Sequence, residues 1–104
     1  IQRVGGLKNA KTIHDVCGEA GIPDWGGTMP ELGIGGAQTI HLATLPNFRF
    51  PTDVESSQRW FVDDIIDPLI EVKNGMIEIP SEIGNYYRLR ESVVKRFKVR
   101  EEIF

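Results

Sequence analysis

The sequence predicts an α/β fold for the first half of the chain and a different arrangement for the second half. Residues 1–50 alternate short β-prone segments with helical patterns, and the connections between them are mostly short. Strands that alternate with helices in this way form a parallel sheet with the helices outside it. Beyond residue 50 the alternation ends, and a hairpin followed by one helix is predicted instead.

The composition is that of a globular chain with a mixed surface. The chain has 104 residues, one domain or less, and 40% of them are hydrophobic, which is enough for a packed core. The formal net charge is −3, so no basic field attracts nucleic acid. No apolar run reaches the length of a membrane span, and a single cysteine excludes an internal disulfide. We therefore expect a soluble, cytoplasmic chain without nucleic-acid or membrane partners.

The first predicted strand and helix open the chain. Residues 1–4 are predicted to end a strand because two of them are β-branched and two glycines follow. Asn9 is the candidate N-cap of a helix over residues 10–20, where apolar residues recur at helical spacing. His14 is expected on the exposed side of this helix, and Cys17 in the core.

A glycine-rich stretch between the second strand and the second helix is the main functional candidate. It follows the strand at residues 22–25 and precedes a helical pattern over residues 34–45. Its glycines admit positive φ and close approach of another molecule, and the next helix offers its N-terminus to an anion. Glu31 adds a carboxylate. By composition alone a tight connection is the commoner explanation, since neither dinucleotide nor phosphate-loop spacing is present.

The rest of the chain is predicted from shorter signals. Residues 48–50 form a third strand, and residues 69–73 and 76–79 form a hairpin around an Asn-Gly turn. A final helix is marked by three apolar residues, Leu89, Val93 and Phe97. Three acids suggest either a metal site or loop acids that cap turns or face solvent, and the second is favoured because calcium-loop spacing is lacking. These acids are Asp63, Asp64 and Asp67.

Three short parallel strands leave two exposed sheet edges and bury too little area to stand alone. We therefore expect this sequence to be the C-terminal part of a longer chain.

Several motifs in order resemble the C-terminal part of enolase-superfamily enzymes. The similarity is greatest to the muconate-lactonizing subgroup, and within it to o-succinylbenzoate synthases and N-acylamino acid racemases. The motifs are Arg3-Val4-Gly5-Gly6, the glycine-rich run of residues 25–35, and Leu42-Ala43-Thr44-Leu45-Pro46-Asn47-Phe48, followed by Ser57-Gln58-Arg59-Trp60-Phe61, Asp64-Ile65-Ile66 and residues 75–80.

This resemblance implies a (β/α)7β TIM-type barrel with an α+β capping domain. Residues 1–61 would be the last strands and helices of the barrel, and residues 62–104 the segment that returns to the capping domain. The glycine-rich turn would then lie at the catalytic mouth, where barrel enzymes keep their chemistry.

The resemblance also implies a reaction in which a proton α to a carboxylate is abstracted and the enediolate is held on Mg. The family's two lysine bases and three acidic metal ligands are absent from this segment. The second lysine would fall one position before Ile1. We therefore expect no metal ligand here, magnesium ligands elsewhere in the chain, and no turnover by these residues alone.

The resemblance assigns supporting roles to a few residues, each with a structural alternative. Arg3 would lie near the absent lysine, or be a surface arginine. Glu31 would be a proton donor in the cycloisomerase branch, or an orienting carboxylate. Trp60 would lie near the acyl or side-chain end of the substrate, or only pack between the domains. The substrate pocket would be lined by Gly27, Thr28 and Met29.

Two departures from the family pattern bear on different features, the first on the substrate and the second only on the contact with the capping domain. Gly36 stands where relatives often have arginine, and Tyr86-Tyr87 where they often have glycine and a small apolar residue. Cycloisomerization and dipeptide epimerization are alternatives within the superfamily. A non-catalytic fragment that folds only by association is the alternative outside it. Expected partners are a small-molecule carboxylate, the remainder of the barrel chain, and further copies in a homo-oligomer.

Overall fold

The computed structural model describes residues 1–27, 29–81 and 86–103. These residues form three α-helices, one two-stranded antiparallel sheet and two 3₁₀ turns. None of the described helices combines the length and apolar character that crossing a membrane requires. The helices are α1 (Leu7–Glu19), α2 (Gly33–Leu42) and α3 (Glu91–Phe97), the strands are β1 (Ile66–Asp67) and β2 (Arg88–Leu89), and the 3₁₀ turns are Gln2–Val4 and Ser57–Arg59.

Helix α1 begins before its predicted N-cap. Gly5 and Gly6 have φ values of 77° and 108°, so the chain turns into the helix at once, and Asn9 lies within its first turn. The predicted Asn9 cap is therefore wrong. The Asn9 side chain instead donates a hydrogen bond of 2.8 Å to the carbonyl of Val4 and ties the helix to the preceding turn.

The predicted parallel strands are much shorter in the structure. Residues 1–4 form a 3₁₀ turn, with Val4 N–H donating to the carbonyl of Ile1 at 3.2 Å, so the first predicted strand is wrong. The second and third strands reduce to one parallel bridge between Asp24 and Phe48. Within the described chain each of these segments has only the other as a neighbour, and only over one residue pair, so neither extends into a strand.

The hairpin keeps its predicted turn but little of its ladder. Asn74 and Gly75 have φ values of 53° and 75°, which are typical of a type I′ turn, and Lys73 pairs with Met76. The ladder predicted for residues 69–79 is wrong beyond that pair. Continuing it would set Glu71 against another glutamate, and like charges directly opposite are unfavourable.

The C-terminal elements differ from the prediction at their boundaries. Helix α2 ends at Leu42, three residues before the predicted end at residue 45. Leu89, predicted in the last helix, lies in β2 opposite Ile66. Helix α3 then begins at Glu91. A two-residue strand pair has too little periodicity to be predicted from sequence.

Helix α2 is the element on which both halves of the chain pack. Ala37 and Ile40 contribute to the apolar core from α2, and the other members follow residue 50, namely Val54, Ile66, Ile70 and Tyr87. A Cβ on Gly36 would lie 3.0 Å from Ile70 Cδ1. A long side chain such as arginine at this position would displace Ile70, so the glycine matches this close packing. The proposed boundary between residues 1–61 and 62–104 stays a prediction.

Candidate functional site

The glycine bend, defined here as residues 25–32, is attached at its start to the segment that follows Phe50. Trp25 Nε1 donates to the carbonyl of Pro51 at 2.9 Å. The carbonyl of Gly26 accepts hydrogen bonds from Thr52 Oγ1 at 3.0 Å and from the Asp53 N–H at 2.9 Å. The backbone carbonyl of Gly26 accepts two of these three hydrogen bonds, so they do not depend on the side chains that the bend exposes.

Gly27 makes room for the indole ring of Trp25. A Cβ on Gly27 would lie 2.9 Å from Trp25 Cζ3, so a larger residue would push the ring away. Trp25 itself is 57% exposed. Gly27 is also exposed, as the predicted pocket-lining role requires. Thr28, the second predicted pocket residue, lies outside the described residues.

Arg3 and Met29 meet across 26 residues of sequence. The Arg3 guanidinium donates a hydrogen bond to Met29 Sδ with an Nη2–Sδ distance of 3.9 Å, and both residues are exposed. The 3₁₀ turn Gln2–Val4 holds Arg3, and the bend holds Met29. The structure thus brings these two predicted site residues together and places a cation at the edge of the bend.

Glu31 folds back over the first turn of α2. A Cβ on Gly35 would lie 2.5 Å from Glu31 Oε2, and this oxygen is buried without a hydrogen-bond partner in the described chain. The N-terminus of a helix stabilises negative charge, so the carboxylate is well placed to hold the bend against α2. The hydrogen-bonding capacity of Oε2 is therefore unused within the described chain, and the atom itself is closed to solvent.

Asp64 caps α2 from a distance of 31 residues. Its side chain is buried, and Oδ1 accepts hydrogen bonds from the Gly33 N–H at 2.9 Å and the Ile65 N–H at 2.6 Å. Oδ2 accepts a further hydrogen bond from the Ser57 hydroxyl. Leu32 at the N-cap position of α2 makes no side-chain cap, so Asp64 supplies what the local sequence lacks.

The neighbouring acids have other roles. Asp63 forms ion pairs of 2.7 Å with Arg90 and with Arg96. The hydrogen bond from Arg90, with that from the Asp64 N–H, lowers the pKa of Asp63 below its ordinary value of 3.8. Asp67 is exposed. Nowhere in the described ranges do three or more histidine, cysteine, aspartate or glutamate side chains form a group that could hold a metal ion.

Trp60 lies directly after the 3₁₀ turn Ser57–Arg59. Its indole is 53% exposed, and Nε1 donates to a carboxylate oxygen of Glu55. Its backbone N–H donates to the carbonyl of Ser57 at 2.9 Å. Because Ser57 also binds Asp64, Trp60 is connected to α2 just beyond the bend.

His14 is buried rather than exposed, so its prediction as a surface residue is wrong. Its ring stacks on Phe48 with centroids 5.9 Å apart, and Nε2 accepts a hydrogen bond of 3.1 Å from the Asn47 N–H. Since Nε2 accepts, Nδ1 carries the proton and donates to Asp15 at 2.9 Å. Asn47 and Asp15 therefore satisfy both ring nitrogens of His14. Helical periodicity alone had predicted this position on the polar face of α1.

Asn47 holds the segment of residues 22–24, which leads into the bend. Its side-chain amide donates to the carbonyl of Ile22 at 2.8 Å and to Asp24 Oδ2 at 2.9 Å, and its carbonyl accepts the Asp24 N–H. Asn47 is 5% exposed. The sequence analysis gave Asn47 no role. The only feature of the sequence that could have indicated one is a polar amide next to apolar residues such as Phe48.

Concave surfaces lie behind the bend and along the hairpin, and a further groove of about 760 Å³ is lined by the segment after Pro51 and by the hairpin. A cavity of about 160 Å³ lies behind the bend and is lined largely by apolar groups, among them Val4, Ala10, Trp25, Gly27 and Phe48. A wider groove of about 820 Å³ runs along the hairpin, and no predicted site residue is part of its lining. The exposed edge of the bend, with Arg3 and Met29, is therefore the candidate site.

Known proteins similar to this chain agree in family. The family model described as "Enolase C-terminal domain-like" matches residues 1–93. An o-succinylbenzoate synthase from Geobacillus kaustophilus is 43% identical over 104 residues, which are 100% of this chain and 28% of that protein. An N-succinylamino acid racemase from Thermus thermophilus is 39% identical over 94 residues, 90% of this chain and 26% of that protein. A chloromuconate cycloisomerase from Pseudomonas putida is 32% identical over 83 residues, 78% of this chain and 22% of that protein.

Solved structures show the same relationship. An enolase-superfamily member from Listeria innocua superposes with a TM-score of 0.81 and 37% identity, covering 90% of this chain and 25% of that one. A probable mandelate racemase from Alicyclobacillus acidocaldarius superposes with a TM-score of 0.84 and 34% identity, covering 94% of this chain and 26% of that one. The chain thus spans about a quarter of these relatives. The predicted fold class, the C-terminal part of a TIM-type barrel with mixed helix and strand, is confirmed. On this agreement of sequence and structure, the chain belongs to the enolase C-terminal domain-like family.

Proposed function

We propose that this chain forms one wall of the active site of an enzyme that abstracts a proton α to a carboxylate, of the o-succinylbenzoate synthase or N-acylamino acid racemase type. The observation that carries the proposal is the contact between Arg3 and Met29, because it puts a cation beside the glycine bend. The names of the similar synthases and racemases support the same reaction type. The substrate is then a small-molecule carboxylate. Homo-oligomer formation and a cytoplasmic location stay predictions.

The chemistry explains why a cation is needed there. Removing a proton α to a carboxylate builds negative charge on that group, and enzymes stabilise such charge with positive groups fixed in advance. Arg3 is always protonated and its guanidinium reaches the edge of the bend. A lysine base near Arg3 would also have a lowered pKa, since like charges disfavour the protonated form.

Magnesium dependence is part of the proposal, but the described residues do not fit a magnesium site. They hold no cluster of three or more metal-binding side chains. We therefore assign the ion and its ligands to the remainder of the barrel chain. The residues of this chain bind and orient the substrate: Gly27, Thr28 and Met29 line the pocket, and Trp60 contacts the far end of the substrate.

The test uses the whole protein that carries this segment, with magnesium, assayed on the cyclohexadiene precursor of o-succinylbenzoate and on N-acylamino acids. Arg3→Gln is expected to lower kcat/KM about 100-fold, because one charge-stabilising donor is lost, and Arg3→Lys to restore part of it. Arg88→Gln is the matched control, an exposed arginine in β2. Activity that survives EDTA, or an Arg3→Gln enzyme as active as the control, would contradict the proposal.

Glu31 favours a second candidate, cycloisomerization or dipeptide epimerization. Its Oε2 has no hydrogen-bond partner in the part of the chain that the structure describes, so the hydrogen-bonding capacity of this oxygen beside the bend is unused. Under this alternative Glu31→Gln abolishes turnover of a muconate or a dipeptide. Under the leading proposal Glu31 only orients the glycine bend, so Glu31→Gln lowers synthase or racemase activity partially and does not abolish it. A non-catalytic fragment would show no turnover on any of these substrates.

A further inference from the structure

Asp64 is a buried carboxylate that joins three separate segments of the chain. It is 1% exposed, and it accepts hydrogen bonds from the Gly33 N–H, the Ile65 N–H and the Ser57 hydroxyl. A buried ion is stable only when its oxygens are well satisfied, and these three donors do that. A Cβ on Gly33 would lie 2.8 Å from Asp64 Oδ2, so the contact also needs a glycine at position 33.

The two distant partners of Asp64 each adjoin a candidate substrate contact. Gly33 begins α2 two residues after Glu31, at the end of the glycine bend. Ser57 begins the 3₁₀ turn that precedes Trp60, and the carbonyl of Ser57 accepts the Trp60 N–H at 2.9 Å. One carboxylate therefore holds the bend on one side and the turn bearing Trp60 on the other.

We infer that Asp64 is a positioning residue that fixes the glycine bend relative to Trp60 and so sets the orientation of the substrate between them. This inference rests on the proposed function. A carboxylate suits the role because both oxygens only accept, and all three neighbours donate. An asparagine keeps the Oδ1 acceptor and places an amide against Ser57, whose hydroxyl can turn to accept. An alanine leaves three donors without a partner.

The test compares Asp64→Ala, Asp64→Asn and the control Asp67→Asn in the whole protein. Hydrogen exchange of peptides covering residues 31–35 and 57–61 measures the link without any substrate. Asp64→Ala is expected to speed exchange in both peptides, Asp64→Asn to restore most of the protection, and the control to match the wild type. Asp67 is an exposed acid in β1, which makes it a fair control.

Kinetics distinguish positioning from a purely structural role. At a temperature where every variant is folded, Asp64→Ala is expected to lower kcat about 10- to 100-fold with a smaller change in KM, because the reacting groups are misplaced. The same substitution in a Trp60→Phe background is expected to cost much less, since the positioned contact is already altered.

Three results would overturn the inference. They are faster exchange confined to one peptide, full activity of folded Asp64→Ala, and strictly additive effects of Asp64→Ala and Trp60→Phe. A wild-type protein inactive on every substrate would refute the proposed function instead, and the exchange data would still decide whether Asp64 links the two segments.

Discussion

Two buried polar anchors hold the glycine bend, one at each end, and they work by different chemistry. Upstream, the uncharged amide of Asn47 binds the Asp24 carboxylate and the backbone, and His14 accepts the Asn47 N–H. Downstream, Asp64 binds the first turn of α2 through a negative charge. The upstream anchor lies within residues 1–50, whereas the downstream anchor comes from the second half of the chain.

The difference shows how the bend is kept in place while its outward side chains remain available to a substrate. Hydrogen bonds from an uncharged amide add little each when the acceptor is a carbonyl and more when it is a carboxylate, and they cost much when one buried partner is left alone. A charged acceptor at a helix N-terminus binds more strongly but needs every oxygen satisfied. Neither anchor uses the side chain of Met29 or of Trp60, so replacing either side chain leaves both anchors in place.

The largest expected effect comes from closing the space at the downstream anchor. In Gly33→Ala the new Cβ would lie 2.1 Å from Ile66 Cδ1 and 2.3 Å from Ile66 Cγ1, and Ile66 is 0% exposed. Because this buried side chain has no free space to move into, we expect a loss of about 3 kcal/mol in the free energy of unfolding. Denaturant unfolding of the whole protein measures it.

Gly18→Ala is the matched control for that substitution. Gly18 lies in α1, and a Cβ there would be 3.7 Å from the nearest atom, Asn47 Cγ, which is ordinary contact. Alanine is a better helix former, so this variant is expected to be unchanged or more stable by about 0.5 kcal/mol. Equal stability of the two variants would show that α2 and Ile66 do not pack as described.

The upstream anchor is tested by Asn47→Ala. The substitution leaves the Ile22 carbonyl and the Asp24 carboxylate without their amide donor, which predicts a loss of about 2 kcal/mol in the free energy of unfolding. Asn9→Ala removes one exposed hydrogen bond and is expected to change stability by less than about 0.5 kcal/mol. If both variants unfold at the same denaturant concentration, Asn47 does not anchor the bend.

Acid titration tests the ion pairs that Asp63 forms beside the downstream anchor. Arg90 lowers the pKa of Asp63 in the folded chain below its ordinary value of 3.8. A lowered folded-state pKa stabilises the protein above the ordinary value, and this stability is lost as pH falls through the folded value. Asp63→Asn is therefore expected to be less stable than wild type at neutral pH and to approach it in acid.

The measurement for Asp63→Asn is the unfolding midpoint at pH about 7 and again well below the ordinary pKa of Asp63. Asp67→Asn serves as the control because Asp67 is exposed. Its difference from wild type is expected to change little between the two conditions. A stability gap for Asp63→Asn that stays constant, or widens in acid, would contradict the assigned ion pairs.

Sequence patterns predicted the helices of this chain better than its contacts between segments. The 3.6-residue periodicity located α1 and α2, and the Asn74-Gly75 turn was confirmed from its own chemistry. The β-prone segments at residues 1–4 and 48–50 did not become strands, because a strand depends on neighbours that local sequence does not describe. Asp64 illustrates the same limit, since its donors lie 7 and 31 residues away.

The candidate site was only partly predictable for a related reason. The resemblance selected Arg3 and Met29, and the structure brings them into contact. It gave no role to Asn47 or His14, whose hydrogen bonds form only when α1 and the segment after Pro46 meet. Long-range polar contacts of this kind have no period and no local motif, so composition and spacing carry no signal for them.

The smallest expected effect concerns Cys17, which borders the upstream anchor. Partial burial, together with the Asp24 carboxylate, raises the pKa of the Cys17 thiol above its ordinary value of 9.0. Because the thiolate is the reactive form, Cys17 in the folded protein is expected to react with iodoacetamide more slowly than in the unfolded chain at mildly alkaline pH. Asp24→Asn removes the nearby charge and is expected to speed the reaction modestly, whereas Glu19→Gln, an exposed acid at the end of α1, is expected to leave it unchanged.

The rate at Cys17 is followed by mass spectrometry of its peptide. Equal rates for the two variants would mean that the Asp24 carboxylate does not face the thiol, and that the upstream anchor extends no further than Asn47 and His14.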